Sequence, residues 1–246
     1  MPLSHRLGAK VKLLGRRYLT MTILCSFHLL VLSQPLCADR LLLFEIIASE
    51  GMSWTCYQSD YIKFEPHEFP EFNHEIGVNS YLYKTLNWFG IGGCLGCIYN
   101  LNGASSVYID DPTLKFMLHW LKFPMLLSFA AIRNSSVMHF DIGIYGSLFL
   151  VGERTWKDID SGIDEIVRLT NKSISHDFGI RAQLFIDMAL FGIRNTHVEL
   201  GGGLGFIVEK SLIDISKEST VKMNSYRFGI CITMPILGNP NKVLED

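Results

Sequence analysis

The sequence predicts an all-β chain in which eight antiparallel strands form an up-and-down transmembrane β-barrel. Three observations support this prediction. Apolar residues recur with a period of two, the periodic segments are long, and the connections between them alternate between long and short. A period of two is the pattern of a strand with one apolar face.

The predicted strands follow one another from residue 42 to residue 234. Most are 14 residues or longer, whereas a strand in a globular protein usually has about 5 to 6 residues. A tilted strand needs about 9 to 11 residues to cross a bilayer, so the lengths favour a membrane barrel. The strands are predicted over residues 42–57, 74–83, 88–101, 114–131, 137–151, 177–190, 197–209 and 226–234.

The sixth of these segments shows the pattern most clearly. Phe178, Leu184 and Leu190 belong to a wholly apolar face, whereas Asp177 and Asp187 belong to the opposite face. In a small barrel the bulky, uninterrupted face is expected to contact lipid, and the face with glycines and charges is expected to line the crowded interior.

The connections supply an independent signal. The long ones are predicted at 58–73, 102–113, 151–175 and 210–221, and the short ones at 84–87, 132–135 and 191–195. Outer-membrane barrels have short periplasmic turns and long outer loops. We therefore expect a bacterial outer-membrane protein with both termini in the periplasm, in contact with outer-membrane lipid.

Residues 1–38 have the composition of a secretory signal peptide. They contain five basic side chains, no acidic one, and an apolar run over residues 18–32 before Ala38. Met1 and Met21 both fit as the start of translation, and residues 39–246 are expected to form a single barrel domain. Without the leader, 17 of the 22 basic side chains remain against 24 acidic ones. This balance predicts no nucleic-acid partner.

Two other folds would also explain part of the apolar pattern. A helical membrane protein would need spans of about 20 apolar residues, and the uncharged stretch 85–109 is too rich in glycine and asparagine to form one. A secreted, lipocalin-like barrel would turn its apolar face inward, and the glycines and charges on the smaller face argue against that arrangement.

Charged residues on the smaller faces predict a charge network in the lumen. If the turn after the sixth strand centres near Ile193, Asp187 lies opposite Glu199, and Arg181 can join the two carboxylates. This network is interpreted either as a catalytic or proton-handling cluster or as charge pairing that stiffens the lumen, and the second interpretation is preferred because inward polar residues are usual in such barrels. The predicted members are Asp141, Arg181, Asp187, Glu199 and Arg227.

No catalytic, cofactor-binding or metal-binding residue is predicted. Cys94 and Cys97 would face opposite sides of a strand. An eight-stranded lumen fills with side chains, so a wide aqueous pore is not expected. The sequence therefore predicts a non-enzymatic protein with a structural or surface-binding role through its long outer loops. Transport of small hydrophobic compounds is the alternative, and a lipid-modifying enzyme is a weaker one.

The loop 151–175 is the segment in which recognition of an extracellular ligand is expected. Its charges surround Ile159, Ile163, Ile166 and Val167. This spacing predicts a short amphipathic helical turn.

Three segments resemble an outer-membrane β-barrel domain family that includes the PorT-like proteins, and more loosely the small OmpX and OmpW types. The resemblance implies the same barrel fold and covers residues 114 to 236. The segments are Leu121-Lys122-Phe123-Pro124-Met125-Leu126-Leu127, Phe140-Asp141-Ile142-Gly143-Ile144-Tyr145-Gly146 and His176-Asp177-Phe178-Gly179.

The last strand is similar to the C-terminal assembly signal of outer-membrane barrels. Arg227 supplies the polar residue and Gly229 the glycine two positions later, whereas Ile232 and Met234 occupy positions where aromatics are usual. This similarity implies the barrel-assembly machinery and periplasmic chaperones as partners.

Overall fold

The computed structural model describes most of the chain after residue 39. The predicted signal peptide, residues 1–38, lies outside the described residues. The described ranges are 40–59, 67–69, 71–107, 114–133, 136–157, 164–192, 198–217 and 221–238.

Within these ranges the chain forms ten strands and no helix. The strands are β1 (Arg40–Ser59), β2 (His67–Phe69), β3 (Glu71–Leu86), β4 (Phe89–Val107), β5 (Leu114–Arg133), β6 (Ser136–Lys157), β7 (Asp164–Leu169), β8 (Asp177–Gly192), β9 (Val198–Ser211) and β10 (Val221–Gly238). In the part of the chain described here, no helix is long and apolar enough to cross a membrane.

Eight long strands close into an antiparallel barrel. Their order around the barrel is β1, β3, β4, β5, β6, β8, β9 and β10, and β10 pairs with β1 to complete the ring. The predicted fold class is therefore confirmed. The two short strands extend the barrel wall, because β2 pairs with β4 and β7 pairs with β6.

The barrel has two different ends. At the short-turn end, β3 and β4 are joined by the two residues Asn87 and Trp88, and Arg40 and Gly238 lie at this end as well. Asn87 has a φ of 57°, a left-handed conformation that asparagine tolerates better than most residues. The opposite, long-loop end carries the connections after β1, β4, β6 and β9.

The expectation of a helical turn in the loop 151–175 is wrong over residues 164–169. β6 continues to Lys157, and β7 pairs with it in register from Lys157 opposite Asp164 to Gly152 opposite Leu169. The free edge of β6 offers backbone partners, and the β-branched Ile166 and Val167 suit a strand. Residues 158–163 lie outside the described part.

Apolar side chains are buried inside the barrel at both ends. The long-loop plug consists of Phe116, Leu118, Trp120, Phe149, Leu169, Ile174 and Ile215. The short-turn plug consists of Leu41, Leu43, Tyr81, Tyr83, Cys94, Leu126, Ala130, Val137 and Leu237. The short-turn plug draws on six strands, whereas the strand residues of the long-loop plug come from β5, β6 and β7. The buried polar residues lie between the two plugs along the barrel.

Candidate functional site

The lumen between the plugs contains two groups of buried ionisable side chains. The central cluster consists of Glu75, Lys122, Arg181, Glu209 and Arg227, and the histidine cluster consists of Glu45, His139, Asp141 and Asp187. Every one of these residues is at most 5% exposed. Burial of this many charges requires close pairing, because an isolated buried charge is costly.

In the central cluster each oxygen of two carboxylates has a cationic partner. Arg181 Nη1 lies 2.6 Å from Glu209 Oε1 and 3.2 Å from Glu75 Oε2. Lys122 Nζ takes the other oxygens, at 2.5 Å from Glu209 Oε2 and 3.3 Å from Glu75 Oε1. Arg227 also pairs with Glu75 Oε1, and its Nη1 lies 3.6 Å from Glu209 Oε2.

Strand register explains three of the five residues of the central cluster. Glu209 on β9 lies directly opposite Arg181 on β8 and directly opposite Arg227 on β10, so three neighbouring strands place opposite charges side by side. Glu75 on β3 and Lys122 on β5 reach the same point from the other side of the barrel.

In the histidine cluster one imidazole contacts three carboxylates. His139 Nε2 lies 2.8 Å from Glu45 Oε1 and 3.0 Å from Asp187 Oδ2. Its Nδ1 lies 3.0 Å from Asp141 Oδ2. Thr233 Oγ1 donates a hydrogen bond to Asp187 Oδ1 at 2.5 Å.

Gln183 connects the two clusters. It accepts a hydrogen bond from Arg181 Nε at 2.8 Å and donates one from Nε2 to Asp141 Oδ2 at 2.7 Å. Asp141 also accepts from the Tyr81 hydroxyl at 3.2 Å and from Ser128. The polar lumen is therefore one continuous network, which favours a single rigid arrangement.

Four of the five residues expected in the lumen network lie buried in the lumen, and one lies elsewhere. Asp141, Arg181, Asp187 and Arg227 are at most 4% exposed. Glu199 is half-buried near the start of β9, at the short-turn end.

The expected facing of Asp187 and Glu199 does not occur. Asp187 lies opposite Gly203, and Glu199 lies opposite Gly192. The β8–β9 pairing, from Asp187 opposite Gly203 to Gly192 opposite Glu199, is centred near residue 195 rather than at Ile193, and its register shifts between Ala189 and Phe191. Arg181 consequently joins Glu75 and Glu209 instead.

Four further residues belong to the network that the sequence pattern does not predict: Glu45, Glu75, Lys122 and Glu209. A signal was present for Glu45, which stands between the inward-facing Leu43 and Ile47 on β1. Glu209 would have been found from a correct register. Glu75 and Lys122 gave no comparable signal, because their partners lie on strands that do not neighbour them.

The outward face forms a belt of large apolar side chains. Phe140, Leu184, Phe206 and Ile230 are cross-strand neighbours on four consecutive strands, and each is between 38% and 55% exposed. On β10, Ile232 and Met234 belong to this belt with 65% and 45% exposed. Arg227 and Gly229 of the same predicted assembly signal face inward.

The outward surface also has polar features. His74 Nδ1 lies 2.6 Å from Glu50 Oε2, and both side chains are exposed. His74 lines a cavity of about 350 Å³ together with Phe72, Leu101 and Met117.

Comparison with known proteins adds a set of distant structural likenesses. No family model matches the chain, and no curated protein matches it. The chain is similar to the outer membrane protein OprG from Pseudomonas aeruginosa, with 11% identity, a TM-score of 0.47, and coverage of 80% of this chain and 95% of that one. It is also similar to the outer membrane protease OmpT from Escherichia coli, with 5% identity, a TM-score of 0.44, and coverage of 83% and 99%.

Neisserial surface protein A is a further likeness, with 9% identity, a TM-score of 0.34, and coverage of 77% of this chain and 95% of that one. At these identities and TM-scores none of the three assigns an activity. The fold rests on the strand pairing described above, and the PorT-like resemblance stays a prediction.

Proposed function

We propose that the protein is a non-enzymatic, integral β-barrel of the bacterial outer membrane with both termini in the periplasm. The observation that carries this proposal is the belt of outward apolar side chains around a polar, charge-paired interior. A water-soluble protein rarely exposes a contiguous apolar surface larger than a few hundred Å², whereas lipid covers such a surface at no cost. A closed barrel also satisfies its backbone hydrogen bonds within the bilayer.

We assign its role to the long-loop end, as a structural or surface-binding protein. Loops on a rigid scaffold are where binding functions concentrate, and the connections after β1, β4, β6 and β9 all leave the barrel at this end. The lumen is expected to support no passage, because paired charges fill its middle and the interior of an eight-stranded barrel fills with side chains. Liposomes that contain the folded protein should therefore show no increase in ion conductance, and a clear conductance would favour transport instead.

The membrane proposal is tested by placing arginine on the belt. Leu184→Arg, in the middle of β8, should destabilise the barrel in lipid vesicles by about 2–4 kcal/mol, because an arginine near the midplane faces hydrocarbon. The matched control is Leu212→Arg, since Leu212 is 51% exposed and follows the last residue of β9. Its cost should be about 0–1 kcal/mol, as for positions near the interface. Equal costs at the two positions in urea titrations would contradict a lipid-facing belt.

A further inference from the structure

We propose that the histidine cluster is a binding site for one divalent transition-metal ion of the zinc class, with Glu45, His139 and Asp187 as ligands. These residues come from β1, β6 and β8. One ligand atom from each, a carboxylate oxygen or an imidazole nitrogen, lies within 4.8 Å of the other two. Imidazole and carboxylate groups are common ligands of zinc.

The spacing of the ligand atoms is close to that of a metal site. In a tetrahedral zinc site with bonds of about 2.0–2.1 Å, neighbouring ligand atoms are about 3.3 Å apart. His139 Nε2 lies 2.8 Å from Glu45 Oε1 and 3.0 Å from Asp187 Oδ2. A small outward movement of the two carboxylates would therefore admit the ion.

An unpartnered oxygen supplies independent support. Glu45 Oε2 is buried and has no hydrogen-bond partner, and the Glu45 side chain is 0% exposed. A buried carboxylate oxygen without a partner is costly. Because this oxygen belongs to the carboxylate that contacts Nε2, a cation bound between Glu45 and His139 would lie beside it.

The number of hydrogens on the His139 imidazole also supports a bound metal ion. Nε2 can carry one hydrogen, yet two carboxylate oxygens lie at hydrogen-bond distance from it. A metal ion on the Nε2 lone pair would bind both oxygens at once. The ion would also balance charge, since the cluster holds three carboxylates, and the ion pairs of Lys122, Arg181 and Arg227 in the described residues all go to Glu75 and Glu209.

The surroundings hold the ligands in place. Asp141 lies 3.0 Å from His139 Nδ1, so a hydrogen on Nδ1 would leave the Nε2 lone pair free for the metal, as in the carboxylate–histidine–zinc arrangement. Thr233 orients Asp187 through the hydrogen bond to its other oxygen. The ion would tie three strands together, and it would enter during folding because the site is buried.

The test is the zinc content of the folded barrel. Protein refolded in detergent with Zn²⁺, then freed of loosely bound metal with a chelator, should retain about one zinc per chain by elemental analysis. Glu45→Gln and Asp187→Asn should each lower the retained zinc at least tenfold. The control Glu209→Gln removes a buried carboxylate of the central cluster and should leave the zinc content unchanged, as should His74→Ala on the outward surface.

Two results would overturn the proposal. One is wild-type protein that retains no zinc although it was folded in the presence of the ion. The other is equal retention by the wild type, Glu45→Gln and Asp187→Asn. If the two variants do not fold, as judged by heat-modifiable mobility in gels, Co²⁺ in the wild type decides the matter. Ligand-field absorption that persists in chelator supports the site, and its absence overturns it.

Discussion

Single residues inside the lumen are constrained by space as well as by charge. Gly203 faces inward on β9, where a Cβ atom would overlap Asp187 Oδ1 and Thr233 Oγ1. A Cβ atom on Gly205 would likewise overlap the ring of Phe185. The glycine-rich run on β9 therefore leaves room for large side chains of β8.

Gly203→Ala should destabilise the barrel by about 1–3 kcal/mol, because the added methyl group overpacks a filled interior. Gly202→Ala is the matched control. Its Cβ would lie 3.6 Å from Leu190 Cδ1, an ordinary contact, so this variant should change stability little. Urea unfolding in lipid vesicles measures both, and equal effects would show that the lumen at Gly203 has spare volume.

Arg181 pairs with both carboxylates of the central cluster, through Glu75 Oε2 and Glu209 Oε1. Arg181→Met would leave Glu75 Oε2 and Glu209 Oε1 without their cationic partner, and the expected loss is about 3–5 kcal/mol of folding free energy. Glu209→Gln in the same background removes one of the two carboxylates that have lost Arg181 as a partner. The double variant should therefore lose less than the sum of the single variants, and strict additivity in the cycle would argue against a direct ion pair.

Among the elements, the short strand β7 helps to attach the loop after β6 to the barrel. It lies along the end of β6, and its last residue, Leu169, is 5% exposed within the long-loop plug. Ile174 and Ile215 join the same plug, and their segments are linked by a bridge between Ile174 and Ser216. The loop that begins after β6 is thus fastened to the barrel interior.

Leu169→Ala should cost about 2–5 kcal/mol, as expected when a buried leucine is truncated in a packed cluster. The control on the same strand is Ile166→Ala, because Ile166 is 64% exposed. Its effect on the unfolding midpoint should be small. A larger effect at Ile166 than at Leu169 would mean that β7 packs through its other face.

For the whole molecule, the proposed orientation places the long-loop end outside the cell. Lys172→Cys lies in the exposed segment after β7, and Arg133→Cys lies at the end of β5 beside a short turn. On intact cells a membrane-impermeant maleimide should label Lys172→Cys and not Arg133→Cys. The wild-type chain provides the background level for its own cysteines. Label at Arg133→Cys alone would reverse the orientation.

The sequence by itself determined the number, order and class of the long strands. Each strand shows its own two-residue period, and each turn has its own length, so these features are local and can be seen without a partner. The sequence predicted the short turn that contains Asn87. It also predicted that Cys94 and Cys97 face opposite sides of β4, where Cys94 is buried and Cys97 is partly exposed. The inward positions of Asp141, Arg181, Asp187 and Arg227 belong to this local information as well, since side-chain parity follows from the period.

Only the tertiary structure decided which of these side chains meet. The β8–β9 pairing is centred about two residues later than predicted, so Asp187 lies opposite Gly203 rather than Glu199, and a period of two does not show where a pairing is centred. Glu75 and Lys122 contact partners on distant strands, and β7 pairs along the edge of β6 although its charge pattern suggests a helix. These contacts depend on barrel closure and on the free edge of a neighbouring strand, and no single segment carries that information.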